Sequence, residues 1–195
     1  GYRLLEKPEH REEVASFWGV DPEFFPPKRG LTETDIFPAI ETGQIKALWL
    51  VATNPMTSMP NSARIRKTFE KLEFCVVQDC YQDVETTQYA NVYLPGALWA
   101  EKQGCFTNTE RRVNLTRPVV KPIGDSKSDF WIFTQLAKRW EQGLKMSFPE
   151  DTEQAFEEMK QLSKGENRML DISGMSYDLI EQKRGIQWPF REGQD

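Results

Sequence analysis

Cysteine and histidine are scarce in this chain: of 195 residues, three are cysteine and one is histidine. Cys75, Cys80 and Cys105 form neither an even set nor a Cys-x-x-Cys pair, which argues against a disulfide framework or a thiolate metal site. Cys75 lies inside an apolar run and reads as a small buried hydrophobe. His10, between Glu9 and Arg11, reads as a solvated side chain, so zinc or triad chemistry has little to build on. A glycine-rich phosphate fingerprint is missing too. Thr53-Asn54-Pro55 stands in its place, which disfavours ordinary NAD binding. No apolar run approaches the length of a membrane span, and the amino end is polar rather than signal-like. A soluble, cytoplasmic protein with no membrane partner is expected. The net charge is -5 and the charges are interspersed, where a nucleic-acid partner calls for a basic face.

What the chain does have is an apolar, aromatic interior. Hydrophobic residues make up 38%, with 6 Trp and 12 Phe, a composition that folds rather than stays disordered. Its length allows one domain with a sizeable core, or one domain plus an appendage. Leu48-Trp49-Leu50-Val51-Ala52-Thr53-Asn54-Pro55 and Phe74-Cys75-Val76-Val77-Gln78-Asp79 are apolar runs that end abruptly in polar side chains. That is the pattern of a buried parallel strand whose carboxyl end opens on a ligand crevice. Residues 46–53 read as a fully buried strand, 74–79 as a second, and 90–94 as a third, stopped by Pro95. A loop at 54–61 leads into an amphipathic helix at 62–72, with Ile65, Phe69 and Leu72 on one stripe. A loop and short helix fill 80–89.

Flanking segments are less regular. A short helix is expected at 11–18, then a break at Pro26-Pro27 and Gly30, then a helix at 35–41 capped by Thr32 or Thr34. Ser128-Asp129 starts a helix running to about Trp140. Further helices are expected near 152–162 and 177–183, and 185–189 reads as extended. Strand and helix alternate at a spacing that implies parallel pairing through right-handed crossovers. The fold class expected is therefore α/β, doubly wound, with a mainly parallel sheet flanked by helices.

Parallel pairing gathers the strand carboxyl ends on one rim, carrying Asn54, Gln78, Asp79 and the segment after Pro95. Lys102 is expected on the same rim, with Asp129 as a further candidate there. An acid ending the second strand suits ribose hydroxyls, or the adjacent N1 and N2 hydrogens of guanine, and an ammonium suits phosphate. Plainer readings stand beside these. Asn54-Pro55 is a common turn opening, and Asp79 serves equally as a turn or cap residue. Asp129 fits a helix cap, Glu101 and Lys102 fit a solvated pair, and Glu110-Arg111-Arg112 fits a surface charge run.

The succession Thr53-Asn54-Pro55, Val76-Val77-Gln78-Asp79, Glu85-Thr86, Tyr89-Ala90-Asn91-Val92, Leu94-Pro95, Trp99-Ala100-Glu101-Lys102-Gln103-Gly104, Thr107-Asn108-Thr109-Glu110-Arg111-Arg112 and Ser128-Asp129 resembles the molybdopterin oxidoreductase family. Gly1-Tyr2-Arg3, Phe17-Trp18-Gly19 and the Thr107–Arg112 motif look most like its assimilatory, cytoplasmic nitrate reductases. Formate dehydrogenases share most of the set. The resemblance implies a Rossmann-like domain that grips one of two molybdopterin guanine dinucleotides, with Asn54, Gln78, Asp79, Lys102 and Asp129 as cofactor contacts. Asn91, where an aspartate is usual, departs from the pattern and is expected to be structural. Gly96 and Cys105 depart as well.

The family's redox machinery needs an amino-terminal cysteine cluster for a 4Fe-4S centre and usually a Cys, selenocysteine or Ser ligand to molybdenum. No iron–sulfur spacing is present here, and none of the three cysteines matches the metal ligand. The resemblance therefore implies an internal piece of a larger enzyme, inactive alone, with no catalytic or metal-ligating residue of its own. Its partners are the parent's other domains and, through the parent, ferredoxin, flavodoxin or an NADH-linked subunit. The division expected is an extension at 1–30, the cofactor domain at 31–145, and a helical and extended segment at 146–195 that leaves Trp188 and Phe190 exposed. Two other classes compete. One is a non-catalytic interaction module that kept the fold. The other is a stand-alone nucleotide enzyme, which needs a crevice acid or base beyond Asp79 and Glu85.

Overall fold

A computed structural model describes residues 3–144, 147–165 and 168–194. In chain order, helix α1 spans Pro8–Trp18 and α2 Glu33–Glu41; strand β1 is Ala47–Val51; α3 is a single turn at Pro55–Ser58 and α4 covers Ser62–Phe69. Strands β2 (Phe74–Asp79), β3 (Val92–Pro95), β4 (Gly104–Thr107) and β5 (Arg112–Thr116) follow, with 3₁₀ turns at Glu85–Tyr89 and Trp99–Glu101 between them. The chain ends with α5 (Asp129–Leu144), α6 (Thr152–Ser163), α7 (Tyr177–Gln182) and the short β6 (Ile186–Gln187). It divides into two compact units, each discontinuous in sequence: Gly30–Leu98 with Pro122–Ser128, and Gly1–Arg29 with Trp99–Lys121 and Asp129–Asp195.

The first unit is α/β. Its sheet has the order β1-β2-β3, both pairs parallel, and helices flank it. β2 is central and occupies the six residues that the apolar run predicts. β1 corrects the reading of a fully buried strand: it lies at the sheet edge and only Leu50 in it is buried. An apolar run looks the same in sequence whether one neighbour pairs with it or two. Phe37, Ile40, Leu50, Met56, Ile65, Phe69, Cys75 and Val77 form the core.

Local signals explain where the elements begin. α2 starts earlier than expected because the Thr32 N–H donates to the Asp35 carboxylate at 3.4 Å and the Thr32 hydroxyl bonds the same group, an N-terminal capping arrangement. Asn61 caps α4 by accepting from Arg64 N–H at 3.3 Å. The loop expected at 54–61 holds the turn α3, which Pro55 opens at its first position, where a missing N–H costs nothing. Asn91 is structural, as expected. Its Oδ1 accepts from Cys75 N–H at 2.7 Å while its own N–H reaches Cys75 O at 2.8 Å.

The second unit holds an antiparallel sheet of order β4-β5-β6. Its core is Val113, Phe156, Ile172, Met175, Tyr177, Ile180, Ile186 and Phe190. Phe190 is only 9% exposed and Trp188 packs half-buried against this cluster, so the expectation that both would be exposed is wrong. The segment folds back on its own unit: Phe190 N–H bonds Asp171 O at 2.7 Å and Trp188 N–H bonds Arg111 O at 2.9 Å. His10 needs a correction too. It is half-buried and its Nδ1 accepts from Leu4 N–H at 2.8 Å, so it braces the approach to α1 rather than standing in solvent.

Candidate functional site

Parallel pairing puts the carboxyl ends of β1 and β2 side by side, with Val51 opposite Gln78 and Asp79 opposite Pro95. The chain leaves β1 through Ala52, whose φ of 52° is left-handed, a conformation uncommon outside glycine. Its N–H bonds Gln78 O at 2.8 Å, so the sharp exit is tied to the neighbouring strand. Two residues later comes Asn54. Its Nδ2 donates to Glu85 Oε2 at 2.8 Å and its Oδ1 accepts from Thr86 Oγ1 at 2.6 Å. Asn54 is thus more than a turn opening: it joins the β1 exit to the 3₁₀ turn preceding β3.

Gln78 is 1% exposed and Asp79 9%. Asp79 Oδ1 accepts from Tyr81 N–H at 3.0 Å, a local turn. Its backbone carbonyl accepts from Tyr93 Oη at 2.8 Å and Gly96 N–H at 2.9 Å. Burial, and then the negative charges near it, Asp79 first, raise the Tyr93 phenol above its ordinary value, so it stays a neutral donor. Glu85 is held below the ordinary carboxylate range, first by the Asn54 amide, then by a backbone bond and by the Arg66 charge. At the end of β3, Lys127 N–H bonds Pro95 O at 3.0 Å and Ala97 N–H bonds Lys127 O at 2.8 Å, so a further parallel segment continues this edge.

Lys102 and Asp129 lie in the other unit. They form an ion pair with each other, each side chain about a third exposed. Glu101, expected as the partner of Lys102 in a solvated pair, is instead buried at 8% exposure. Asp129 is the first residue of α5, where a carboxylate is favoured by the helix dipole. The Thr107–Arg112 motif is a β-hairpin turn: Asn108 Oδ1 accepts from the N–H groups of Glu110 and Arg112, each at 3.1 Å. Glu110-Arg111-Arg112, offered as a surface charge run, is thereby a built turn, with Arg111 left-handed at φ 62°. Among the described residues, no group of three His, Cys, Asp or Glu side chains could hold a metal ion.

The family model for molybdopterin oxidoreductases matches residues 16–139. The chain belongs to the molybdopterin oxidoreductase family. All five candidate positions fall within that span. Over 192 residues the chain is 37% identical to a nitrate reductase of Synechocystis, covering 98% of this chain and 26% of that protein. It is 35% identical over 193 residues to the assimilatory nitrate reductase catalytic subunit of Bacillus subtilis, again covering 98% and 26%. A formate dehydrogenase alpha subunit of Methanocaldococcus jannaschii is 35% identical over 190 residues, covering 97% and 25%. The chain thus spans about a quarter of the length of these relatives. Among solved structures, acetylene hydratase of Pelobacter acetylenicus has the same fold, with a TM-score of 0.62 at 24% identity over 94% of this chain and 24% of that one.

Of the residues expected on one strand-end rim, Asn54, Gln78 and Asp79 stand at or just past the carboxyl ends of β1 and β2, whereas Lys102 and Asp129 belong to the other unit. Lys102 and Asp129 are brought to each other. What sequence reasoning missed is the pairing of Asn54 with Glu85 and Thr86, 31 and 32 residues away. The only signal for it was a polar Glu-Thr pair standing before the third strand.

Proposed function

We propose that this chain is a cofactor-binding part of a larger molybdopterin oxidoreductase that reduces nitrate to nitrite, and that it is inactive alone. The observation that carries the reading is similarity to nitrate reductases over 98% of this chain, combined with a polar strand-end array of Asn54, Gln78 and Asp79. The cofactor is taken to be the bis(molybdopterin guanine dinucleotide) form, with a 4Fe-4S cluster elsewhere in the parent. Ferredoxin, flavodoxin or an NADH-linked subunit is the electron donor, and the location is cytoplasmic. No described helix is long and apolar enough to cross a membrane.

The donor set suits a guanine nucleotide. Asp79 spends one oxygen on its own turn, and an ionised carboxylate has further acceptor sites for the paired N–H groups of guanine or for ribose hydroxyls. Asn54 has one amide N–H and one carbonyl lone pair beyond its two internal bonds, while Gln78, at 1% exposure, backs the rim from beneath rather than offering its amide to solvent. Separately, in the other unit, Lys102 suits a phosphate oxygen as a point charge, and Asp129 pairs with it. When bound, the molybdenum cofactor would supply the redox chemistry that removes an oxygen atom from nitrate. The residues here bind and orient its nucleotide tail.

Titration calorimetry of GDP into the chain is the direct test. Weak, millimolar-range binding is expected, and Asp79→Asn weakens it about tenfold, the scale of one hydrogen bond to a charged acceptor, with the fold intact. No heat at millimolar GDP overturns nucleotide binding by this chain. A second reading, formate dehydrogenase, draws on the formate dehydrogenase relative. Assaying the full reading frame that contains this segment separates the two, by nitrate-dependent oxidation of a reduced dye or by dye reduction with formate.

A further inference from the structure

Asn54 meets two partners of different kinds. Glu85 offers a carboxylate and Thr86 a hydroxyl, and both stand on the 3₁₀ turn Glu85–Tyr89. Thr86 is fully buried, at 0% exposure. An amide side chain can be turned over with little change in shape, exchanging its donor and acceptor edges. An ionised carboxylate removes that freedom, because it only accepts. The edge of Asn54 facing Glu85 must be the NH2 group, and the carbonyl edge then faces Thr86. A hydroxyl can donate or accept, so the Thr86 hydroxyl is obliged to donate. The bonds of 2.8 Å and 2.6 Å follow this polarity.

We infer that Glu85 and Thr86 are positioning residues that lock the Asn54 side chain in one orientation, so that a defined N–H donor and a defined carbonyl acceptor are presented at the strand-end rim to the guanine nucleotide. The inference rests on the nucleotide-binding reading of that rim and adds residues with a stated role. Neither partner needs to touch the nucleotide. Glu85 sets which edge donates, and Thr86 holds the opposite edge. The bonds cross between two loops, so they also fix the distance of Asn54 from the end of β2. Ionisation of Glu85 is part of the device. A protonated carboxyl group can donate, and the carboxylate's veto on the flipped amide is then lost.

The test uses the whole chain, with GDP as the probe. Three variants are titrated by calorimetry: Thr86→Val, which removes the obligatory donor at similar size; Thr86→Ser, which keeps it; and Glu85→Gln, which can donate as well as accept. The expected result is a loss of GDP affinity of about tenfold for Thr86→Val and for Glu85→Gln, with Thr86→Ser close to the wild type. The side-chain NH2 resonances of Asn54 give a readout that mere stability does not move. They form one pair in the wild type, shift as Glu85 titrates below the ordinary carboxylate range, and broaden or double in Glu85→Gln. Should Thr86→Val fail to fold, Glu85→Gln carries the test. GDP binding by the wild type with unchanged affinity in a folded Glu85→Gln or Thr86→Val overturns the positioning role alone. Absence of GDP binding by the wild type overturns the nucleotide reading and the positioning role with it.

Discussion

Single side chains in this molecule are tied by a few strong local bonds, and Glu41 is the plainest case. Arg64 donates to both its oxygens at 2.7 Å, and the buried Thr68 hydroxyl donates at 2.8 Å. These bonds, Arg64 first and Thr68 second, take its pKa from an ordinary 4.5 to about 2. The folded value lies below the unfolded one, so ionised Glu41 stabilises the fold at neutral pH. That contribution fades as pH falls from about 4.5 to about 2. Glu41→Gln is expected to lower Tm at pH 7, and the gap from wild type should shrink steadily in melts taken from pH 5 down to pH 3. A gap that stays constant across that range would sink the assignment. Thiol reactivity tests another residue-scale contrast. Cys80 is exposed, whereas burial raises the Cys75 thiol and takes Cys105 to about 11. A thiol-specific chromogenic reagent at pH 8 should therefore label Cys80 rapidly, and the other two only once denaturant is added.

At the scale of elements, β2 depends on a single side chain at its start. Cys75 N–H has the Asn91 carboxamide oxygen as its acceptor. Asn91→Ala leaves that N–H unsatisfied in a part-buried place, at a cost of about 1–3 kcal/mol in denaturant unfolding. Asn91→Asp keeps an acceptor oxygen at the same position and should cost much less. Equal losses for the two variants would mean that the bond is unimportant. β2 itself was legible in the sequence because Phe74 to Asp79 is a compact apolar run with an abrupt polar end. The β4–β5 hairpin was not, because its left-handed turn residue is Arg111 rather than the Gly or Asn that normally marks such a turn. β6 pairs with β5 across a long stretch of chain, Gln187 opposite Arg112, and no local pattern announces that. The same limit holds at the candidate site. Polar strand ends make Asn54 and Asp79 readable as candidates, but the clamp on Asn54 is a tertiary contact with no periodicity behind it.

Across the whole molecule, each unit closes with a segment far away in sequence. Pro122–Ser128 returns to the parallel sheet, where Lys127 bridges Gly96. In the antiparallel unit the chain's last described residues complete the core through Phe190. The expectation from sequence is a segment apart at 146–195 that leaves Trp188 and Phe190 exposed. What holds it is backbone fit. Gly174 N–H bonds Phe190 O at 3.0 Å, and a Cβ on Gly174 would lie 2.3 Å from the Arg191 carbonyl oxygen and 2.9 Å from the Phe190 ring. Glycine is required there by the close approach of a second backbone. Gly174→Ala should push the 190–191 backbone away and cost about 1–3 kcal/mol, while Phe190→Ala should cost about 3–5 kcal/mol by emptying the core. Hydrogen exchange separates the two mechanisms. In Gly174→Ala the Phe190 amide, bonded to Asp171 O, should lose protection along with Gly174 itself. In Phe190→Ala the loss should extend to the amides around Ile172 and Ile180, whose side chains share the cavity. Protection at Phe190 unchanged in Gly174→Ala would mean that the tail is not held by this approach of backbones, and that side-chain burial alone keeps it in place.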